Sequence, residues 1–85
     1  MEYVVVAFRS RAQTIRFYNF LISNNIPCDI INTPKEAGVG CGLSVKTEKN
    51  AFGVVKQALR SISLNSFAGF FLVTLVSGKR IVRSI

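Results

Sequence analysis

Two apolar runs constrain this chain more than any other feature: Tyr3–Phe8 (Tyr-Val-Val-Val-Ala-Phe) and Ala68–Val76 (Ala-Gly-Phe-Phe-Leu-Val-Thr-Leu-Val). Neither alternates between apolar and polar residues, so each reads as a strand buried on both faces of a sheet. A sheet containing two such strands must be covered on both sides. The intervening chain offers only two helical segments, enough for one side. The C-terminal segment or a second subunit must cover the other, and a homodimer is expected on that ground. The apolar stretch Phe67–Val76 is ten residues long, against the roughly 20 needed to span a bilayer. It therefore reads as a strand, with no membrane partner.

Between these strands the pattern is regular. Ser10 with Gln13 three residues on forms a capping-box signature for a helix over Arg11–Ser23. Ile15, Tyr18 and Ile22 share one face of it, with Leu21 beside them. Asn24-Asn25 and Pro27 end the helix. Cys28–Asn32 reads as a short strand, closed by the turn residues Asn32-Thr33-Pro34. Leu43–Thr47 reads as a third strand, with Leu43, Val45 and Thr47 on one face and a solvated face carrying Ser44, Lys46 and Glu48. A second helix runs from a cap at Asn50 to Ile62, with the stripe Ala51, Val55, Ala58, Leu59 and Ile62 inward and close packing expected at Gly53. Leu64–Phe67 is a loop, Ala68–Val76 the fourth strand, and Ser77-Gly78 turns the chain into a basic terminal strand, Lys79–Ile85. The order βαββαβ, with an extra C-terminal strand, predicts an α+β ferredoxin-like sandwich. Its antiparallel sheet would have strand order 4-1-3-2 and two helices on one face. The whole chain, residues 1–85, is expected to form this single domain.

Composition removes whole classes of chemistry. There is no histidine, and the acidic side chains are Glu2, Asp29, Glu36 and Glu48 alone. Histidine-based acid–base catalysis and histidine metal ligation are excluded, and two cysteines cannot complete a four-ligand zinc site. The acidic N-terminus Met1-Glu2-Tyr3 lacks the basic region of a secretion signal, so a cytoplasmic location with reduced thiols is expected. The net charge of +7 is spread along the chain and reads first as a solvated surface.

Chemistry concentrates in Thr33-Pro34-Lys35-Glu36-Ala37-Gly38-Val39-Gly40-Cys41-Gly42. Glycine flanks Cys41 on both sides, which frees the backbone for positive φ and gives the thiol little to pack against. Lys35 and Lys46 are candidate cationic neighbours, and the loop N–H groups are a candidate anion-binding nest, with Glu36 opposing. Cys28 enters an apolar strand and reads as a small buried hydrophobe. The two cysteines fall at opposite ends of a hairpin, about 17–20 Å apart at 3.3 Å per residue. That is too far for an internal disulfide.

The stretch from Thr33-Pro34-Lys35-Glu36 to Cys41-Gly42-Leu43-Ser44-Val45 resembles the signature of a small bacterial family, the putative selenium/sulfur carrier protein-like domain. The resemblance runs over roughly Val4–Leu59 and includes the Asn-Asn-Ile-Pro connection after the first helix. It implies Cys41 as the carrier residue, with Thr33, Pro34, Lys35, Gly40 and Gly42 supporting the loop. It also implies sulfur- or selenium-donating and accepting proteins as partners. Ala37-Gly38-Val39-Gly40 stands where hydroxyl-rich residues are usual in that family.

The residues leave more than one function open. A carrier would hold a persulfide or selenosulfide on Cys41; it is an accessory protein more than a self-contained enzyme, and no cofactor is implied. The alternative is a small non-catalytic interaction or regulatory module that dimerises. Nucleic-acid binding ranks third, because the third strand lacks the aromatic residues of an RNA-recognition sheet. Metal delivery between two Cys41 residues of a dimer ranks last.

Overall fold

The computed structural model describes all residues, 1–85. Its elements are β1 (Glu2–Phe8), α1 (Arg11–Ser23), β2 (Asp29–Asn32), β3 (Leu43–Glu48), α2 (Phe52–Arg60), β4 (Phe67–Val76) and β5 (Lys79–Ser84), with 3-10 turns at Lys35–Ala37 and Lys49–Ala51. This is a small α+β fold. The five strands form one sheet in the order β2-β3-β1-β4-β5, and every neighbouring pair is antiparallel.

Local sequence explains the joints. Ser10 caps α1 by accepting from the Gln13 N–H at 3.2 Å. At the other end Asn25 adopts φ 60°, and Ile26 N–H donates to Leu21 O (2.9 Å) while Asn25 N–H donates to Ile22 O (3.0 Å). This is a Schellman stop, with Asn in the left-handed position usually given to glycine. Ser77 and Gly78 both have positive φ, 50° and 76°, as a two-residue type I′ hairpin turn requires between β4 and β5.

Several details differ from the sequence reading, each for a physical reason. The buried face of α1 is Thr14, Phe17 and Leu21, whereas Ile15 and Ile22 are 41% and 46% exposed. Phe17 wins the inward position because its ring meets Phe8 at 5.4 Å between centroids. Asn50 lies inside a 3-10 turn, so Ala51 takes the position before α2 with no side-chain cap. Gly53 is exposed and a Cβ there would enter open space, so no close packing demands it. Cys28 precedes β2, which starts at Asp29, and Phe67 belongs to β4.

The sheet has a core on each side. Against the helices lie Val6, Phe8, Phe17, Leu21, Val45, Val55 and Ala58. On the other face lie Val5, Ala7, Phe71 and Val73, with Ala37 and Val39 of the glycine loop packed against them, together with Tyr3, Ile31 and Val82. The cover on this face thus comes largely from the loop between β2 and β3, and Val5, Ala7 and Val73 are fully buried within the single chain. The same cover buries Ser44, placed on a solvated face by alternation alone; its Oγ lies 2.6 Å from Thr33 Oγ1. Toward the β4–β5 end of the sheet, Leu75, Val76 and Ile81 remain 38–51% exposed. No helix is long and apolar enough to cross a membrane.

Candidate functional site

Cys41 ends a loop that is held at several points. Thr33 N–H donates to Gly42 O at 2.9 Å, which extends the β2–β3 ladder by one bond past its last paired residues, Asn32 and Leu43. The Thr33 hydroxyl shares its hydrogen bond with Ser44, and Pro34 is buried beneath the loop. Gly40 has φ 98°, and a Cβ there would stand 3.4 Å from the Phe8 carbonyl oxygen and 3.6 Å from Thr33 Oγ1. These are ordinary contact distances, so it is the conformation that glycine answers. Glu36 is gripped from β5: Arg80 Nε and Nη2 donate to its two carboxylate oxygens at 3.0 and 2.7 Å. This bond, with Arg80 and Lys35 nearby, holds the Glu36 carboxyl below its ordinary value.

The Cys41 thiol is half-buried and turns toward α1. Sγ lies 3.7 Å from Thr14 Oγ1 and donates to Leu43 O at 3.5 Å. Thr14 sits in the first turn of α1 and is itself fully buried. Its hydroxyl donates to Ser10 O at 3.1 Å, an oxygen that Thr14 N–H already reaches at 3.0 Å. The hydroxyl bond to Ser10 is therefore redundant, and turning that proton toward sulfur leaves no acceptor unsatisfied. The first turn of α1 contains Arg11 and no acidic side chain. It is also the positive end of the helix dipole, a setting that favours an anion.

The structure thus gathers Thr33, Pro34, Lys35, Gly40, Cys41 and Gly42 in one loop, with the thiol on the α1 side and Lys35 exposed on the outer side. Lys46 does not join them. It pairs with Asp29 and Val5 in the sheet, and its Nζ stands 4.5 Å from the Tyr3 ring centroid. Both Lys46 and Cys28 line a hollow of about 270 Å³ at the far end of the β2–β3 hairpin. Cys28 donates to Tyr18 O at 3.9 Å, and burial followed by the neighbouring Asp29 charge pushes its thiol up. Both cysteines are free. Thr14 and Arg80 are the site residues that sequence reasoning missed. Thr14 carried one signal, a polar residue one helical turn after Ser10 on the face that Phe17 and Leu21 bury.

No curated protein and no solved structure matches the chain. A family model described as "Putative Se/S carrier protein-like" matches residues 3–66, from the second residue of β1 to the residue before β4. The match covers well over half of the chain and includes the entire Thr33–Gly42 loop, so this protein belongs to the Putative Se/S carrier protein-like family.

Proposed function

We propose that this protein carries a sulfur or selenium atom on the thiol of Cys41 and passes it to another protein. Family membership supports the class of cargo. The observation that carries the reading to a residue is the Cys41 Sγ beside the Thr14 hydroxyl, 3.7 Å away, at the positive end of α1. The family's usual loop hydroxyls are missing here, and Thr14 supplies one from the helix.

In loading, the Cys41 thiolate attacks the outer sulfur of a donor persulfide, R–S–SH. The new S–S bond forms at Cys41, the donor's S–S bond breaks, and the donor thiolate leaves with the electron pair. In unloading, a nucleophile of the acceptor takes the outer sulfur and the Cys41 thiolate is released. Thr14 would donate to whichever sulfur bears the charge. One cysteine suffices, because donor and acceptor proteins bring the remaining chemistry. The chain is read as one ferredoxin-like domain over residues 1–85, a reading supported by the succession β1-α1-β2-β3-α2-β4 and the central sheet order β2-β3-β1-β4.

Intact-mass measurement after exposure to inorganic polysulfide tests the assignment. The wild type should gain one sulfur atom at Cys41, removable by a thiol, and Cys41→Ser should gain none there. A Cys41→Ser protein that loads and delivers sulfur as well as the wild type overturns it.

A further inference from the structure

The outer side of the loop, away from the thiol, has a chemistry of its own. Thr33 to Lys35 and Gly38 to Gly40, with Gly42, line a shallow hollow of about 260 Å³, and Cys41 is not among the lining residues. Along it the sign of φ alternates. Gly38, Gly40 and Gly42 have φ of 66°, 98° and 95°, while Val39 and Cys41 between them are not among the positive-φ residues. A left-handed residue following right-handed ones is the backbone pattern of an anion-binding nest, and Gly38, at φ 66° and ψ 15° after the 3-10 turn, has that conformation. The donors are unused as well: the N–H groups of Val39, Gly40 and Cys41 make none of the backbone hydrogen bonds. The only backbone N–H groups bonded to side chains belong to Ser10, Gln13 and Ser66.

Charge agrees with the donors. The one carboxylate of the loop, Glu36, is neutralised by two bonds from Arg80, and Lys35 on the rim is in no ion pair. We infer that this hollow is a binding site for a small oxyanion of the sulfate or phosphate type, held by the N–H groups of Val39 and Gly40 and by the Lys35 ammonium. The site stands on backbone donors and does not depend on Cys41 acting as a carrier. Its ligand is either a free divalent ion or the anionic terminus of a larger molecule.

Titration of ¹⁵N-labelled protein with sodium sulfate, at ionic strength held constant with sodium chloride, tests the site. The expected result is a saturable shift of the Val39 and Gly40 amide resonances that chloride does not reproduce. Lys35→Ala, a change at an exposed residue, should weaken it about fivefold, the loss of roughly one exposed charge contact. Methanesulfonate distinguishes the two sources: binding of both anions marks a site for an anionic terminus, and binding of sulfate alone marks one for the free ion. Cys41→Ser should still bind sulfate while accepting no sulfur, so the two readings fail separately. Absence of a saturable shift, shifts scattered equally over the lysine and arginine surface, or loss of sulfate binding in Cys41→Ser would each overturn the inference.

Discussion

Thr14 and Thr47 are both buried threonines, and they differ in what their hydroxyls meet. The Thr47 hydroxyl is closed off from solvent and has no hydrogen-bond partner. Thr47→Val keeps the shape and removes the orphaned group, so it should stabilise the protein by about 1 kcal/mol, visible as a higher Tm. The Thr14 hydroxyl has a choice of acceptors and one sulfur within reach. Thr14→Val should change the alkylation rate of Cys41 by about threefold, because a hydrogen bond that stabilises the attacking sulfur also lowers its nucleophilicity. Peptide mass spectrometry after iodoacetamide pulses measures this, with Cys28 as an internal reference. An unchanged Cys41 rate would remove Thr14 from the site. Cys28 itself, raised by burial and by Asp29, has a defined effect on stability. The folded protein disfavours its thiolate, so its stabilising contribution is complete below the ordinary thiol value of 9.0 and is lost as pH rises through the raised one. Cys28→Ala should flatten the alkaline limb of a stability–pH curve and leave the neutral region unaffected by titration.

At the scale of elements, α1 shows how far periodicity reaches. Its ends were legible because Ser10, the Asn pair and Pro27 act locally, through caps and fixed backbone angles. Its inward face was not, because Ile15 and Ile22 are as apolar as Phe17 and Leu21 and more apolar than Thr14, so hydropathy alone could not order them. The choice was made by contacts distant in sequence: Phe17 on Phe8, Thr14 near Cys41. Phe17→Ala should therefore cost about 3–5 kcal/mol in chemical unfolding. Ile15→Ala should stay within about 0.5 kcal/mol, as exposed substitutions do. Strand β3 carries the same lesson, since alternation placed Ser44 correctly opposite Val45 but could not announce the loop that folds over it. The site was legible in part for the same reason. Gly40, Cys41 and Gly42 declare themselves by local composition, whereas Thr14 and Arg80 reach the loop from other elements. The Arg80–Glu36 bridge ties the loop to β5, and its acid sensitivity follows from the lowered Glu36 carboxyl. That contribution is present above the ordinary carboxylate value of 4.5 and is lost as pH falls through the lowered one. Protection of the bonded Thr33, Ala37 and Gly38 amides, taken relative to free-amide exchange at each pH, should fall over that acid interval, and Arg80→Ala should bring the loss to neutral pH.

For the molecule as a whole, the glycine loop belongs to the second core as much as to the site. Ala37 and Val39 press on Val5, Ala7, Phe71 and Val73, while Cys41, a few residues on, faces the helix layer. Val39→Asp should lift the loop and cost about 2 kcal/mol, near the worth of burying a valine side chain. Binding of a hydrophobic dye to the uncovered sheet face would report it; an unchanged dye signal would mean that other residues seal that face. Cargo carriers commonly work as swinging arms, a long tether sweeping a reactive tip between stations. This loop has no such freedom, since any sweep would drag Ala37 and Val39 off the sheet and open the interior to water. If Cys41 carries the cargo as proposed, it is a fixed peg, and delivery would depend on how often partners collide in the right orientation and on the shape each presents to it.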